Sequence, residues 1–110
     1  MTELASLHCE SIPSNTKPLS LPKVEKYLNE TQDWEPHLSH KSISKTVTFK
    51  NFQYVMQFLN AIGWIMQKED HHADVSYNYN SVTIKLTTHS IRGLTINDFI
   101  IAAKIDALLD

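Results

Sequence analysis

The hydrophobic pattern of the chain changes period several times, and each change marks an element. Leu21, Val24 and Leu28 recur at helical spacing, with Ser20 in the capping position and Pro22 in the first turn. A short helix is therefore predicted over 21–30. "DWEPHL" reads as a short strand that Pro36 keeps at a sheet edge, because proline has no N–H for a central ladder. In "KSISKTVTF", Ile43, Val47 and Phe49 alternate with Ser42, Ser44, Thr46 and Thr48, and Lys45 interrupts the apolar face. Period-two alternation with β-branched residues predicts a strand that faces a core on one side.

"NFQYVMQFLNAIGWIMQKED" carries the longest helix, with Asn51 placed to cap it. Phe52, Val55, Met56, Leu59, Ile62 and Met66 form one apolar stripe, and Tyr54, Phe58, Ala61 and Ile65 widen it. So wide a face suits central packing or a subunit contact, and central packing is the expectation taken forward. The last helix follows Thr95. Asp98 stands where a capping box needs an acceptor, Leu94 and Phe99 occupy the staple positions, and Ile96, Phe99, Ile100 and Ala103 can bury one side.

Between these two helices the chain alternates like a hairpin. Val75, Tyr77 and Tyr79 share one face, as do Val82, Ile84 and Leu86 beyond Asn80-Ser81. A tight turn at Asn80-Ser81 sets Tyr79 opposite Val82, Tyr77 opposite Ile84 and Val75 opposite Leu86, which places both tyrosines in the core. The same register sets His72 opposite His89, with Cβ atoms about 4.5–5.5 Å apart. His71 points the other way at the junction of helix and strand. The order helix, strand, strand, helix, strand, strand, helix predicts an α+β fold, an antiparallel sheet with helices on one face.

Composition narrows the class. At 110 residues, 42% hydrophobic, the chain fits a single domain. Its net charge of −2 argues against a nucleic-acid partner, though not against contact with a DNA-binding protein. One cysteine, Cys9, excludes an internal disulfide and suits a reducing cytoplasm. No run approaches the roughly 18 apolar residues of a membrane span. Residues 1–17, polar and without the apolar run of a signal, read as an extended arm ahead of a domain over 18–110. His8 and Cys9 in that arm are too few ligands for a metal site. With Gly63 and Gly93 as the only glycines, a phosphate-cradling loop is not expected.

His71, His72 and His89 are the candidate chemistry, and three readings fit them. They can be tolerated on a solvated sheet face. They can bind a metal, since histidine is the commonest metal-binding side chain, although adjacent strand residues point to opposite faces. They can also exchange protons near neutral pH, because histidine has an unperturbed pKa near about 6.5. Nucleophilic catalysis has little support: Cys9 lies in the arm, and no serine sits in a nucleophile elbow.

"HHADVSYNYNSVTIKLTTHSIRGLTINDF" resembles the pterin-4a-carbinolamine dehydratase family in its His-His pair, Tyr-Asn hairpin, Thr-His, Gly-Leu-Thr and closing aspartate. "DWE", "FKNFQYVMQFLNAIGWIM" and the arm's "LHCE" extend the resemblance over nearly the whole chain. It implies a four-stranded antiparallel sheet with three helices on one face. The implied reaction removes water from 4a-hydroxytetrahydropterin to give quinonoid dihydropterin, without metal or organic cofactor. It serves tetrahydrobiopterin recycling for aromatic amino-acid hydroxylases, in a homodimer or homotetramer.

Carried onto this sequence, the resemblance makes His71 and His89 the acid/base pair and His72 the residue that binds and orients the pterin. The hairpin register places His72 beside His89, so either member of the adjacent pair could transfer the proton. Ala73, Thr88 and Ser90 line the same pocket. Ala73 stands where the family has proline, and Gln67 where an acidic residue is common; Glu69 or Asp70 could substitute for the latter. Asp98 belongs to the family pattern and is expected mainly as a helix cap. The alternative is a non-catalytic regulatory protein, since some relatives bind a transcription factor's dimerisation segment through helices, and the face of helix 51–68 could do so here.

Overall fold

The computed structural model describes residues 3–110, so the first two residues of the expected arm lie outside the described residues. The arm opens with one turn of 3-10 helix, Glu3–Ser6, whose Leu4 is buried, and Lys104 Nζ donates to the Ala5 carbonyl (2.8 Å). The chain then forms α1 (Leu21–Asn29), β1 (Glu35–His37), β2 (Ser42–Thr48), α2 (Phe52–Glu69), β3 (Asp74–Tyr77), β4 (Ser81–Leu86) and α3 (Ile96–Leu109). This is the predicted order, as an antiparallel sheet with strands arranged β1-β2-β4-β3.

Alternation along β4 buries Val82, Ile84 and Leu86 and turns Thr83 and Lys85 to the other face. Ile43 of β2, Val24 of α1, Val55, Phe58 and Ile62 of α2 and most of α3 join them in one core. Helices therefore cover one face of the sheet. On the open face the hydroxyls of Thr46 and Thr83 meet across the strands at 2.9 Å.

Lys45, which breaks the apolar face of β2, has a partner. Its Nζ donates to Asp106 Oδ1 (2.8 Å) and to the Gln32 carbonyl (2.8 Å), and sits 5.8 Å from the Trp34 ring centroid. Asp106 also accepts Trp34 Nε1–H (2.9 Å) and the Gln32 N–H (2.9 Å). One carboxylate thus ties α3, β2 and the segment before β1.

Three expectations change. The central helix is α3, not α2: α3 buries Phe99, Ile100, Ile101, Ala102, Ala103 and Ile105 nearly all round, instead of on one side. The apolar width of α2 is only partly used, since Phe52, Tyr54, Met56 and Trp64 are exposed, Trp64 at 71%.

The hairpin register is also corrected. Val75 pairs with Ile84 and Tyr77 with Val82, two residues away from the register that a tight Asn80-Ser81 turn requires. Asn78 explains the difference. Its Oδ1 accepts the N–H groups of Asn80 (3.0 Å) and Ser81 (2.9 Å) and the Ser81 hydroxyl (2.9 Å), so the loop starts earlier. A shift of two preserves every face, so alternation could not detect it. The third change concerns the tyrosines: Tyr79 falls in the loop, 73% exposed, and Tyr77 is exposed beside Phe52 at 6.4 Å between ring centroids.

Candidate active site

His71 is placed by the end of α2. Asp70 adopts the left-handed conformation (φ 52°) that closes the helix, and the Asp70 and His71 N–H groups both return to the Met66 carbonyl. The imidazole is turned inward, 12% exposed, with Nε2 2.6 Å from Asp98 Oδ1. Asp98 is fully buried in the first turn of α3. Its Oδ2 accepts the Thr95 N–H (3.0 Å), the expected cap, and the Thr88 hydroxyl (2.8 Å), which also meets the Thr95 hydroxyl (2.8 Å). The aspartate expected mainly as a cap therefore also holds the histidine.

An ionised carboxylate only accepts hydrogen bonds. His71 Nε2 must then carry the proton, and in the neutral ring Nδ1 carries the lone pair. Among the described residues Nδ1 has no hydrogen-bond partner, and the ring borders a polar cleft of about 280 Å³. The cleft is lined by His71, Asp70 and Glu69 at the end of α2, by Thr88, Ser90 and Asn97, and by Cys9, Glu10, Ser11 and Ile12 of the arm. An apolar hollow of about 400 Å³ beside Trp64 and Ile65 has no histidine among its lining residues.

The other sequence-derived residues gather at the same end of the sheet, in a different geometry. The observed register, continued, sets His72 against Thr87, so the expected His72–His89 pair does not form. His89 begins a 3-10 turn, His89–Ile91, closed by a bridge between Thr88 and Gly93. It is 72% exposed, with Nε2 3.7 Å from Asp74 Oδ2, two residues beyond His72. His72 is exposed and Ala73 half-buried, with the Ala73 N–H 3.0 Å from the Met66 sulfur, a contact proline could not make. Of the expected pocket residues, His71, Thr88 and Ser90 line the cleft; His72, Ala73 and His89 are not among its lining residues. Gly93 lets Pro18, at the start of the domain, approach, because a Cβ there would stand 2.6 Å from Pro18 Cβ.

Gln67 is exposed on α2, and the carboxylate beside His71 is Asp98. Glu69 turns instead to the arm. Its Oε1 accepts the Cys9 N–H (2.7 Å), its Oε2 lies 2.9 Å from His8 Nδ1, and Lys104 Nζ is 3.8 Å away. Sequence reading offered Glu69 only as a substitute for the acidic residue missing at Gln67, not as an anchor of the arm, and did not assign Asn97 to the site. A carboxylate in the last turn of a helix, against the dipole, is the one local sign that Glu69 has a partner elsewhere.

Burial alone would raise the Glu69 pKa. The Cys9 N–H, His8 and Lys104 outweigh it and hold the carboxyl below its ordinary value of 4.5. A carboxyl that protonates less readily in the folded chain contributes stability fully above about that value and loses it as pH falls further. Thermal midpoints measured from pH 7 downward should therefore fall more steeply below 4.5 for the wild type than for Glu69→Gln. The Cys9 thiol is pushed up to about 12, first by burial and then by the charges of Glu69 and Asp98, so it stays protonated and is no nucleophile at neutral pH.

The sequence pattern of the family described as Pterin 4 alpha carbinolamine dehydratase matches residues 17–108. The chain belongs to this family. A protein of Hydrogenovibrio crunogenus named "Putative pterin-4-alpha-carbinolamine dehydratase" is 46% identical over 93% of this chain and 90% of its own length. One of Legionella pneumophila (strain Corby) with the same name is 40% identical over 98% and 96%. Among solved structures, a transcriptional coactivator/pterin dehydratase from Brucella melitensis superposes with a TM-score of 0.81 at 26% identity, covering 86% of this chain and 100% of that one. A pterin dehydratase-like protein identified as a RuBisCO assembly factor in the alpha-carboxysome shares the fold, with a TM-score of 0.61 at 19% identity, over 70% and 89%. No helix of the described residues is long and apolar enough to cross a membrane.

Proposed function

We propose that this chain is a catalytically active member of the family, a hydro-lyase that dehydrates 4a-hydroxytetrahydropterin to quinonoid dihydropterin in cytoplasmic tetrahydrobiopterin recycling. The observation that carries this reading is the His71 imidazole, held through Nε2 by buried Asp98 at the wall of a polar cleft. In the proposed reaction His71 Nδ1 takes the proton from N5. The N5 electron pair forms the C4a=N5 bond, the C4a–O bond breaks, and protonated His89 gives its proton to the departing hydroxyl. One proton is taken, one is given, and water leaves; no oxidant or reductant is consumed.

His72 orients the ring, with Ala73 and Ser90 beside it. The Thr88 hydroxyl is committed to Asp98 and Thr95, so Thr88 acts by positioning them. The pterin supply in this reading is an aromatic amino-acid hydroxylase. The reading predicts that the protein accelerates the rise of quinonoid dihydropterin absorbance over buffer, and that His89→Ala is slower than wild type. A wild type no faster than buffer removes the enzyme assignment; equal rates for the two proteins remove the role of His89 alone.

A second reading, a protein–protein role, rests on the exposed Phe52, Tyr54, Met56 and Trp64 of α2. A homodimer or homotetramer would cover this face, as would a regulatory partner. Light scattering should give a multiple of the chain mass at micromolar concentration, reduced by Trp64→Glu. A wild-type monomer would leave homo-oligomers without support.

A further inference from the structure

The arm is fastened beside His71 by side chains that neither the sheet nor the apolar core requires. Glu69 takes the Cys9 N–H and His8, as described. Asn97, buried in the first turn of α3, grips both polar groups of one arm residue. Its Oδ1 accepts the Glu10 N–H (3.2 Å) and its Nδ2 donates to the Glu10 carbonyl (2.7 Å). Glu69 precedes His71 by two positions and Asn97 precedes Asp98 by one. The two short segments that hold the imidazole and its carboxylate therefore also hold the arm.

Burying a carboxylate and a side-chain amide is costly unless each finds partners. Here the arm backbone supplies them. With Cys9 and Glu10 engaged in this way, Ser11 and Ile12 follow along the cleft. The Ser11 side chain forms no hydrogen bond to another described residue.

From this geometry we infer that Cys9–Ile12 of the arm is a wall of the pterin pocket, and that Glu69 and Asn97 are positioning residues that set pterin affinity by fixing the arm against His71. The inference rests on the pterin reading above. The arm narrows one side of the cleft and limits how much water reaches the ring, while the chemistry stays with the histidines.

The Cys9 and Glu10 amides, held by Glu69 and Asn97, give a test in the wild-type protein. The probe is 7,8-dihydropterin, which lacks the 4a-hydroxyl and so binds without reacting. Saturating dihydropterin should slow hydrogen–deuterium exchange of these two amides severalfold. Asn97→Ala should exchange them faster than wild type and weaken dihydropterin binding about tenfold, the size of one or two lost hydrogen bonds. In turnover the same variant should raise KM by a similar factor with kcat within about twofold, a split that general unfolding does not produce. Glu69→Ala should behave alike, and Glu69→Gln, which keeps an acceptor for the Cys9 N–H, should recover most of the affinity.

Dihydropterin that binds wild type while leaving exchange of the Cys9 and Glu10 amides unchanged overturns the inference, as does unchanged affinity in both Asn97→Ala and Glu69→Ala. Binding and protection without turnover would uphold the arm wall and remove the enzyme assignment. A wild type that binds no pterin removes both.

Discussion

His71→Ala should lower kcat for pterin dehydration by about 10²–10⁴-fold, the usual contribution of a positioned acid/base group. The sharper experiment is Asp98→Asn, which leaves the imidazole in place. The amide oxygen can still accept the Thr95 N–H and the Thr88 hydroxyl, now held at 3.0 and 2.8 Å, so the cap largely persists. The amide nitrogen, however, would donate toward His71 Nε2 where the carboxylate now accepts. That forces the ring proton onto Nδ1, and the cleft then meets a donor where N5 deprotonation needs an acceptor. A wrong tautomer in a carboxylate–imidazole pair costs up to about 10⁴ in rate.

Initial rates at the quinonoid band, measured beside thermal denaturation, decide the matter. Asp98→Asn that folds normally and turns over at the wild-type rate would show that the His71–Asp98 pair is structural only. His72→Ala should act mainly on KM, because His72 is exposed and no carboxylate of the described residues holds its ring as Asp98 holds that of His71.

The largest loss of stability is expected at the opposite end of α3. Asp106→Ala removes the common acceptor of Lys45 Nζ, Trp34 Nε1–H and the Gln32 N–H. Lys45 and Asp106 side chains are both nearly buried. Breaking one partner of such a pair costs about 3–5 kcal/mol, because the other charge stays desolvated. That is a large share of the roughly 5–15 kcal/mol that holds a domain folded. The thermal midpoint should fall by tens of degrees or, at the upper end, the chain should not fold. Asp106→Asn keeps an acceptor for one N–H and should cost less. Chemical denaturation of the two variants tests the order, and an Asp106→Ala midpoint within a few degrees of wild type would contradict it.

Both predictions depend on contacts that sequence reading could see only from one side. Asp98 was legible as a helix cap because its capping partner, Thr95, is three positions away. Its bond to His71 spans 27 positions and exists only because α2 ends beside the start of α3. Lys45 was legible as a fault in an apolar strand face, but the reason for the fault is Asp106, 61 positions on. The hairpin histidines show the same limit from the other direction. The expected pairing of His72 with His89 does not form, because Asn78 starts the loop early.

By itself the sequence determined the order of the elements, which faces of the strands are apolar, where α1, α2 and α3 begin, and the family resemblance carried by the histidine-rich hairpin. These follow from interactions a few positions apart: strand alternation, helical spacing, caps and prolines. Tertiary structure alone decided the strand register, the exposure of Tyr77, Tyr79 and the outer face of α2, and the partners of His71, Lys45 and the arm. A two-residue slip costs no alternation, and a buried charge selects its partner by proximity across the fold. The arm is the extreme case, since Glu69 and Asn97 meet it across 60 and 87 positions. Only packing α2 and α3 side by side brings those two side chains to the same short stretch of backbone.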